Sequence, residues 1–190
     1  NITMSAESEG TMWFAISAMS DYEIEYDSDS SETYIPTDID VFMLDNRWNR
    51  TPIYDSSEGK ILGKKQLNWL MASLKNSRAS FKLVMVGGQF LNPNKVYENM
   101  ANYPEERQKL IDFIKVEKIM NVVFLTGDRH HSEIAEMQLS DTHSIFDITA
   151  SPITSRAHKK LKEENSYRIK GSTIKERNYA KLTFSGKKKK

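Results

Sequence analysis

The stretch Val122–His131, VVFLTGDRHH, decides how this chain is read. Four apolar, mostly β-favouring residues predict a buried strand, and Gly127 marks the turn that ends it. An acid, an arginine and two histidines follow at once. Ligands of an open α/β sheet collect just beyond the carboxyl ends of its strands, so this turn is where chemistry would sit. Asp128 and His130 stand two residues apart, and a tight turn through Gly127 can aim both at one point. Carboxylate oxygen plus imidazole nitrogen suits Zn, Mn or Fe. The same residues also make an ordinary polar loop, with a capping Asp128 and surface histidines, and the pattern alone leaves both readings open.

The elements before that strand alternate. Pro104 opens a predicted helix with Glu105 and Glu106 in its first turn, where the helix dipole favours acids. Leu110, Ile111, Phe113 and Ile114 supply its buried face. Phe81–Val86 predicts a strand that runs into Gly87-Gly88-Gln89. Two glycines there either let the backbone approach a ligand closely or simply turn tightly, and Gln89 can donate or accept a hydrogen bond. The polar loop 92–103 is long enough to line a cleft. Leu67, Leu70, Met71 and Leu74 follow helical spacing within Ile61–Leu74, with Trp69 packing on the flank. Ile39–Asp45 predicts the first strand of this series. After Asp45, Arg47 and Arg50 either hold phosphate oxygens bidentately or pair with Asp45 to brace the loop. Strand, helix, strand, helix, strand implies a mostly parallel sheet covered by helices.

Beyond the histidines, Ile134–Met137 and Ser144–Thr149 predict antiparallel strands around an Asp141–His143 turn. Ala150–Ser155 is a small-residue loop, His158–Tyr167 a charged helix or loop, and Arg177–Phe184 a final strand. At the other end, residues 1–10 read as polar and turn-like. Thr11–Ser17 and Tyr22–Tyr26 read as a β-hairpin. The acidic Asp27–Glu32 lacks the glycine and terminal glutamate spacing of an EF-hand and reads as a solvated linker before Pro36.

With 190 residues, 38% apolar and 28% charged, the chain is long enough for one domain with a sizeable core. The net charge of +1 gives no general bias toward nucleic acid, and the terminal lysines read as a solvated tail. Cysteine is absent, which excludes disulfides, thiolate metal sites and a cysteine nucleophile. No run reaches the roughly 18 apolar residues of a membrane span, and no signal peptide is seen. Both ends look cut.

Five blocks resemble the alkaline phosphatase D family, the PhoD-like members of the calcineurin-type metallophosphoesterases. They are VFMLDNRWN (41–49), ILGKKQLNWLMASL (61–74), FKLVMVGGQFL (81–91), VVFLTGDRHHSE (122–133) and DITASPITS (147–155). RNYAKLTFSG (177–186) resembles the family's closing strand. The resemblance implies an α/β/β/α metallophosphoesterase-like sandwich, here partial, over residues 36–190. A short all-β segment over 1–35, a remnant of an N-terminal β-sandwich domain, precedes it. It also implies hydrolysis of phosphate mono- or diesters by water activated by divalent or trivalent metals (Ca, Fe, Zn or Mn), and a secreted, periplasmic or cell-surface location.

Carried over residue by residue, Asp128 and His130 fall on the G-D-x-H block as metal ligands, His130 serving second as an acid. Arg47 falls in the L-D-x-R block as a phosphate contact and catalytic residue. Gln89 falls where the superfamily places a metal-binding histidine and is expected to contact phosphate or water, while His131 takes no role. The superfamily's earlier metal-binding blocks would precede residue 39, and residues 1–38 match none of them. The N-terminal metal-binding half is therefore expected to be missing, and the chain alone inactive. The implied partner is a small phosphate ester rather than nucleic acid, with peripheral association to the cell envelope. The competing expectation is a non-catalytic secreted or surface α/β binding module.

Overall fold

A computed structural model of the chain describes residues 2–5, 39–53, 59–161 and 163–184. The hairpin at 11–26, the acidic stretch 27–32, Pro36 and the lysine tail lie outside the described residues. The main sheet has five strands: β2 (Ile39–Met43), β3 (Phe81–Met85), β4 (Val122–Thr126), β5 (Glu133–Ser140) and β6 (His143–Thr149). Their order is β2-β3-β4-β6-β5. The first four in that order are parallel, and β5 returns antiparallel to β6. Helices α1 (Gly63–Asn76) and α2 (Pro104–Val116) make the two crossovers.

Alternation within each strand decides its two faces. Phe42, Val84, Phe124 and Ile145 point into one core with Leu67, Leu70 and Leu74 of α1 and Leu110, Ile111 and Ile114 of α2. Leu83, Val123 and Ile148 point the other way, against Ala180, Leu182 and Phe184. That second face is covered by a small antiparallel sheet of β1 (Ile2–Ser5) and β7 (Tyr179–Leu182), in the register Ile2 to Leu182. Helix layer, sheet and second sheet make an α/β sandwich, as expected for the fold class.

One detail departs from the sequence reading. Ile2–Ser5 is a strand, not a turn, because β7 supplies its hydrogen-bonding partner. The segment 158–167, for which the sequence leaves helix and loop both open, is loop and turn in its described residues.

A buried acid joins the two helices. Glu106 of α2 accepts the Ile61 and Leu62 N–H groups at 2.9 and 2.8 Å, and the Gly63 N–H at 2.9 Å. These are unpaired donors at the start of α1, where no local side chain caps the helix. Gly63 itself has φ +76° with the Asn49 side chain 3.0 Å from where a Cβ would be, so glycine is required there.

Candidate functional site

The parallel strands bring their carboxyl ends to one edge. Arg47 follows β2, Gln89 follows β3, and Asp128 and His130 follow β4. The ends are close: a Cβ on Gly127 would lie 4.0 Å from the Gly87 carbonyl oxygen and 3.7 Å from that of Ala150. The β4 turn carries two non-glycine residues in the left-handed region, Asp128 at φ +62° and His130 at φ +56°. L-residues adopt that conformation at a cost, and such positions cluster at functional sites.

The turn leaves Asp128 exposed and His130 half-buried. His130 Nδ1 lies 2.6 Å from the Arg156 carbonyl oxygen. A carbonyl can only accept, so Nδ1 carries a proton, and in the neutral ring Nε2 keeps the lone pair. This is the arrangement that orients a metal-binding imidazole. The His130 ring also stacks on His158 at 4.9 Å, and the His158 N–H donates to the His130 carbonyl at 2.7 Å. Asp128 and His130 thus stand two residues apart on one turn, a carboxylate and an imidazole. Among the described residues no group of three or more histidines and acids is placed to hold a metal ion.

The Arg47 guanidinium pairs with Glu98 rather than with Asp45. Asp45 accepts the backbone N–H groups of Arg47 and Trp48 at 2.7 and 3.1 Å, which hold its carboxyl below the usual range. Arg47 and Arg50 converge instead on Glu98, each at 2.5 Å. Burial alone would raise Glu98, but the two guanidinium groups outweigh it and hold it low. The Arg47 side chain remains 59% exposed at the strand-end edge. The two glycines make room for the protein itself: a Cβ on Gly88 would meet the Glu98 carbonyl oxygen at 2.7 Å, and one on Gly87 would meet Asn46 at 2.9 Å.

Gln89 lies beneath the edge rather than on it. It is 1% exposed. Its amide nitrogen donates to Glu133 at 2.8 Å and Thr149 at 2.9 Å, and its oxygen accepts Asn92 at 2.8 Å. These bonds within the protein engage both the nitrogen and the oxygen of the buried amide.

That network was not legible in the sequence. Glu133, fully buried, receives Gln89 and Asn165 on one oxygen and Arg168 and His131 on the other. Burial pushes its carboxyl up, but the bonds from His131, Asn165 and Arg168 prevail and hold it at about 2. Asp147 accepts the Phe90 and Leu91 N–H groups, both at 2.8 Å, and the Thr126 hydroxyl at 2.7 Å. Burial dominates there and pushes Asp147 up to about 6. His131, without a role in the sequence reading, bridges the Arg129 carbonyl and Glu133 from a site 1% exposed. The turn above thus rests on a polar floor anchored by two buried acids.

Comparison with known proteins bears on what this edge does. The PhoD-like phosphatase family profile matches residues 30–189. The chain belongs to the PhoD-like phosphatase family. It is 31% identical over 121 residues to alkaline phosphatase D of Bacillus subtilis (strain 168), a match covering 58% of this chain and 20% of that protein. A solved structure described as that of PhoD aligns with a TM-score of 0.61 at 24% identity, over 74% of this chain and 33% of the other. That alignment speaks for the fold. The chain therefore spans about a fifth of the length of the curated PhoD-like relative it matches.

Proposed function

We propose that this chain carries the β4-end part of a phosphoesterase centre, in which Asp128 and His130 bind metal and water attacks a phosphate mono- or diester. The observation that supports this most is the His130 Nδ1 contact to the Arg156 carbonyl, which leaves Nε2 as the nitrogen a metal would take, two residues from Asp128 in a PhoD-like chain. A bound Ca, Fe, Zn or Mn ion would lower the pKa of its water and offset charge on the phosphoryl oxygens. In this reading His130 orients the reacting group through a ring fixed at Nδ1. Arg47, tied to Glu98 yet still largely exposed, receives a phosphoryl oxygen on its remaining N–H groups. Gln89 positions the turn from below through Glu133. Two donors are fewer than a catalytic metal takes from a protein, so in this reading the centre needs further ligands. The described residues alone would then be inactive. We place the protein outside the cytoplasm, secreted or at the cell surface.

Elemental analysis of the intact protein and its Asp128→Ala/His130→Ala variant tests this, with turnover of p-nitrophenyl phosphate and bis-p-nitrophenyl phosphate alongside. Metal and turnover present in the wild type and both lost in the variant are expected. An intact protein without metal or turnover, unchanged by the substitutions, would overturn the reading.

A further inference from the structure

Beside the Asp128–His130 turn lies a cavity of about 400 Å³. Arg129, Arg156, Lys159 and Lys160 line it against one acid, Glu163. That acid is already committed, since Glu163 pairs with Arg129. The charge of Arg156, Lys159 and Lys160 therefore has no counterpart among the other lining residues. The wall is built rather than incidental. Arg129 is 6% exposed, its guanidinium lies 4.9 Å from the Tyr97 ring centroid, and Nη1 donates to Asn99 at 3.1 Å. Its Nε is buried with no hydrogen-bond partner among the described residues.

The cavity shares its wall with the proposed centre. Arg156 holds His130 through its carbonyl, and His158 stacks on the same ring. An ester at His130 thus has a cationic chamber directly beside it. Such a lining offers little to an apolar leaving group, whereas several cations with an arginine fork suit a phosphate dianion.

We propose that this cavity is a subsite for a second, non-scissile phosphate, so that the enzyme prefers esters carrying two phosphate groups over small single-phosphate esters. The inference rests on the phosphoesterase reading above. The test compares the intact wild-type protein with Lys159→Gln/Lys160→Gln and with a control pair on the exposed face of α1, Lys64→Gln/Lys65→Gln. Calorimetric titration with inorganic tripolyphosphate in EDTA reads the subsite without metal, and hydrolysis of a hexose bisphosphate against p-nitrophenyl phosphate reads preference.

In Lys159→Gln/Lys160→Gln, tripolyphosphate affinity should fall about tenfold and KM for the bisphosphate should rise about tenfold, each exposed charge contributing modestly in water. KM for p-nitrophenyl phosphate should change less than twofold, and the control pair should bind tripolyphosphate as the wild type does. Equal losses in both lysine pairs, or equal KM changes for both esters, would overturn the subsite. Lost tripolyphosphate binding in a protein that hydrolyses neither ester would instead overturn the phosphoesterase reading while leaving the cavity an anion site.

Discussion

The two buried acids beneath the turn pull stability in opposite directions as pH changes, and this gives the sharpest quantitative test. Asp147 moves from an ordinary 3.8 to about 6 in the fold. Between those values the folded chain holds a proton that the unfolded chain has released, so stability rises as pH falls from 7 toward 4. The difference, about 2.2 pH units at 1.36 kcal/mol each, amounts to about 3 kcal/mol, of which about 2 kcal/mol is recovered by pH 4.5. Glu133 moves from 4.5 to about 2, the opposite sense. Its contribution is fully present above pH 4.5 and is lost as pH falls toward 2, again about 3 kcal/mol from about 2.5 units. Together these two acids should contribute most between about pH 4 and 5.

Urea denaturation in EDTA from pH 2.5 to 7.5 measures this. With a slope of about 2 kcal/mol/M, the midpoint should rise by roughly 1 M from pH 7 to 4.5 and then fall. Asp147→Asn should remove the rise. Its amide oxygen can still accept the Phe90 and Leu91 N–H groups, and its nitrogen can donate to Thr126, whose hydroxyl can turn to Thr149 3.0 Å away. A wild-type midpoint that is flat between pH 7 and 4.5, or an Asp147→Asn variant with the wild-type slope, would refute the reasoning.

Two further outcomes follow from the site and its support. Glu106→Ala leaves the N–H groups of Ile61 and Leu62 buried without their acceptor and should cost about 3 kcal/mol, read as a lower urea midpoint at pH 7. Arg47→Ala should raise KM for phosphate esters about tenfold with a smaller change in kcat, and an unchanged KM would remove Arg47 from substrate binding.

Much of the frame was legible because it is written locally. Alternation in Val122–Leu125 feeds two apolar cores, Leu67, Leu70 and Leu74 fall on one helical face, and Pro104 with two glutamates marks a helix start. What the sequence hid is long-range. Ile2–Ser5 becomes a strand only through β7, nearly the whole chain away. Gly87 and Gly88 signal a close approach, but nothing local says that what approaches is Asn46 and the Glu98 backbone rather than a ligand.

The acids are the deeper case. An acid within a strand reads by default as pointing to water, yet Asp147 lies on the face of Phe124, Ile145 and Ala135, inside the core. The register then places Glu133 beside Thr149, and Thr149 beside Thr126, so that one polar row forms under the strand ends. Two anions that close could not share the interior on equal terms. Four donors on Glu133 favour its charge, and the weaker compensation at Asp147 lets burial raise it. Asp147 reaches back to the Phe90 and Leu91 N–H groups, and Glu133 takes the Gln89 amide, so the two acids fix the loop after β3 while His131 ties Glu133 to the Arg129 carbonyl. That floor lies beneath a turn in which Asp128 and His130 hold left-handed geometry, so the shape of that turn depends on residues buried under the strand ends as much as on its own sequence.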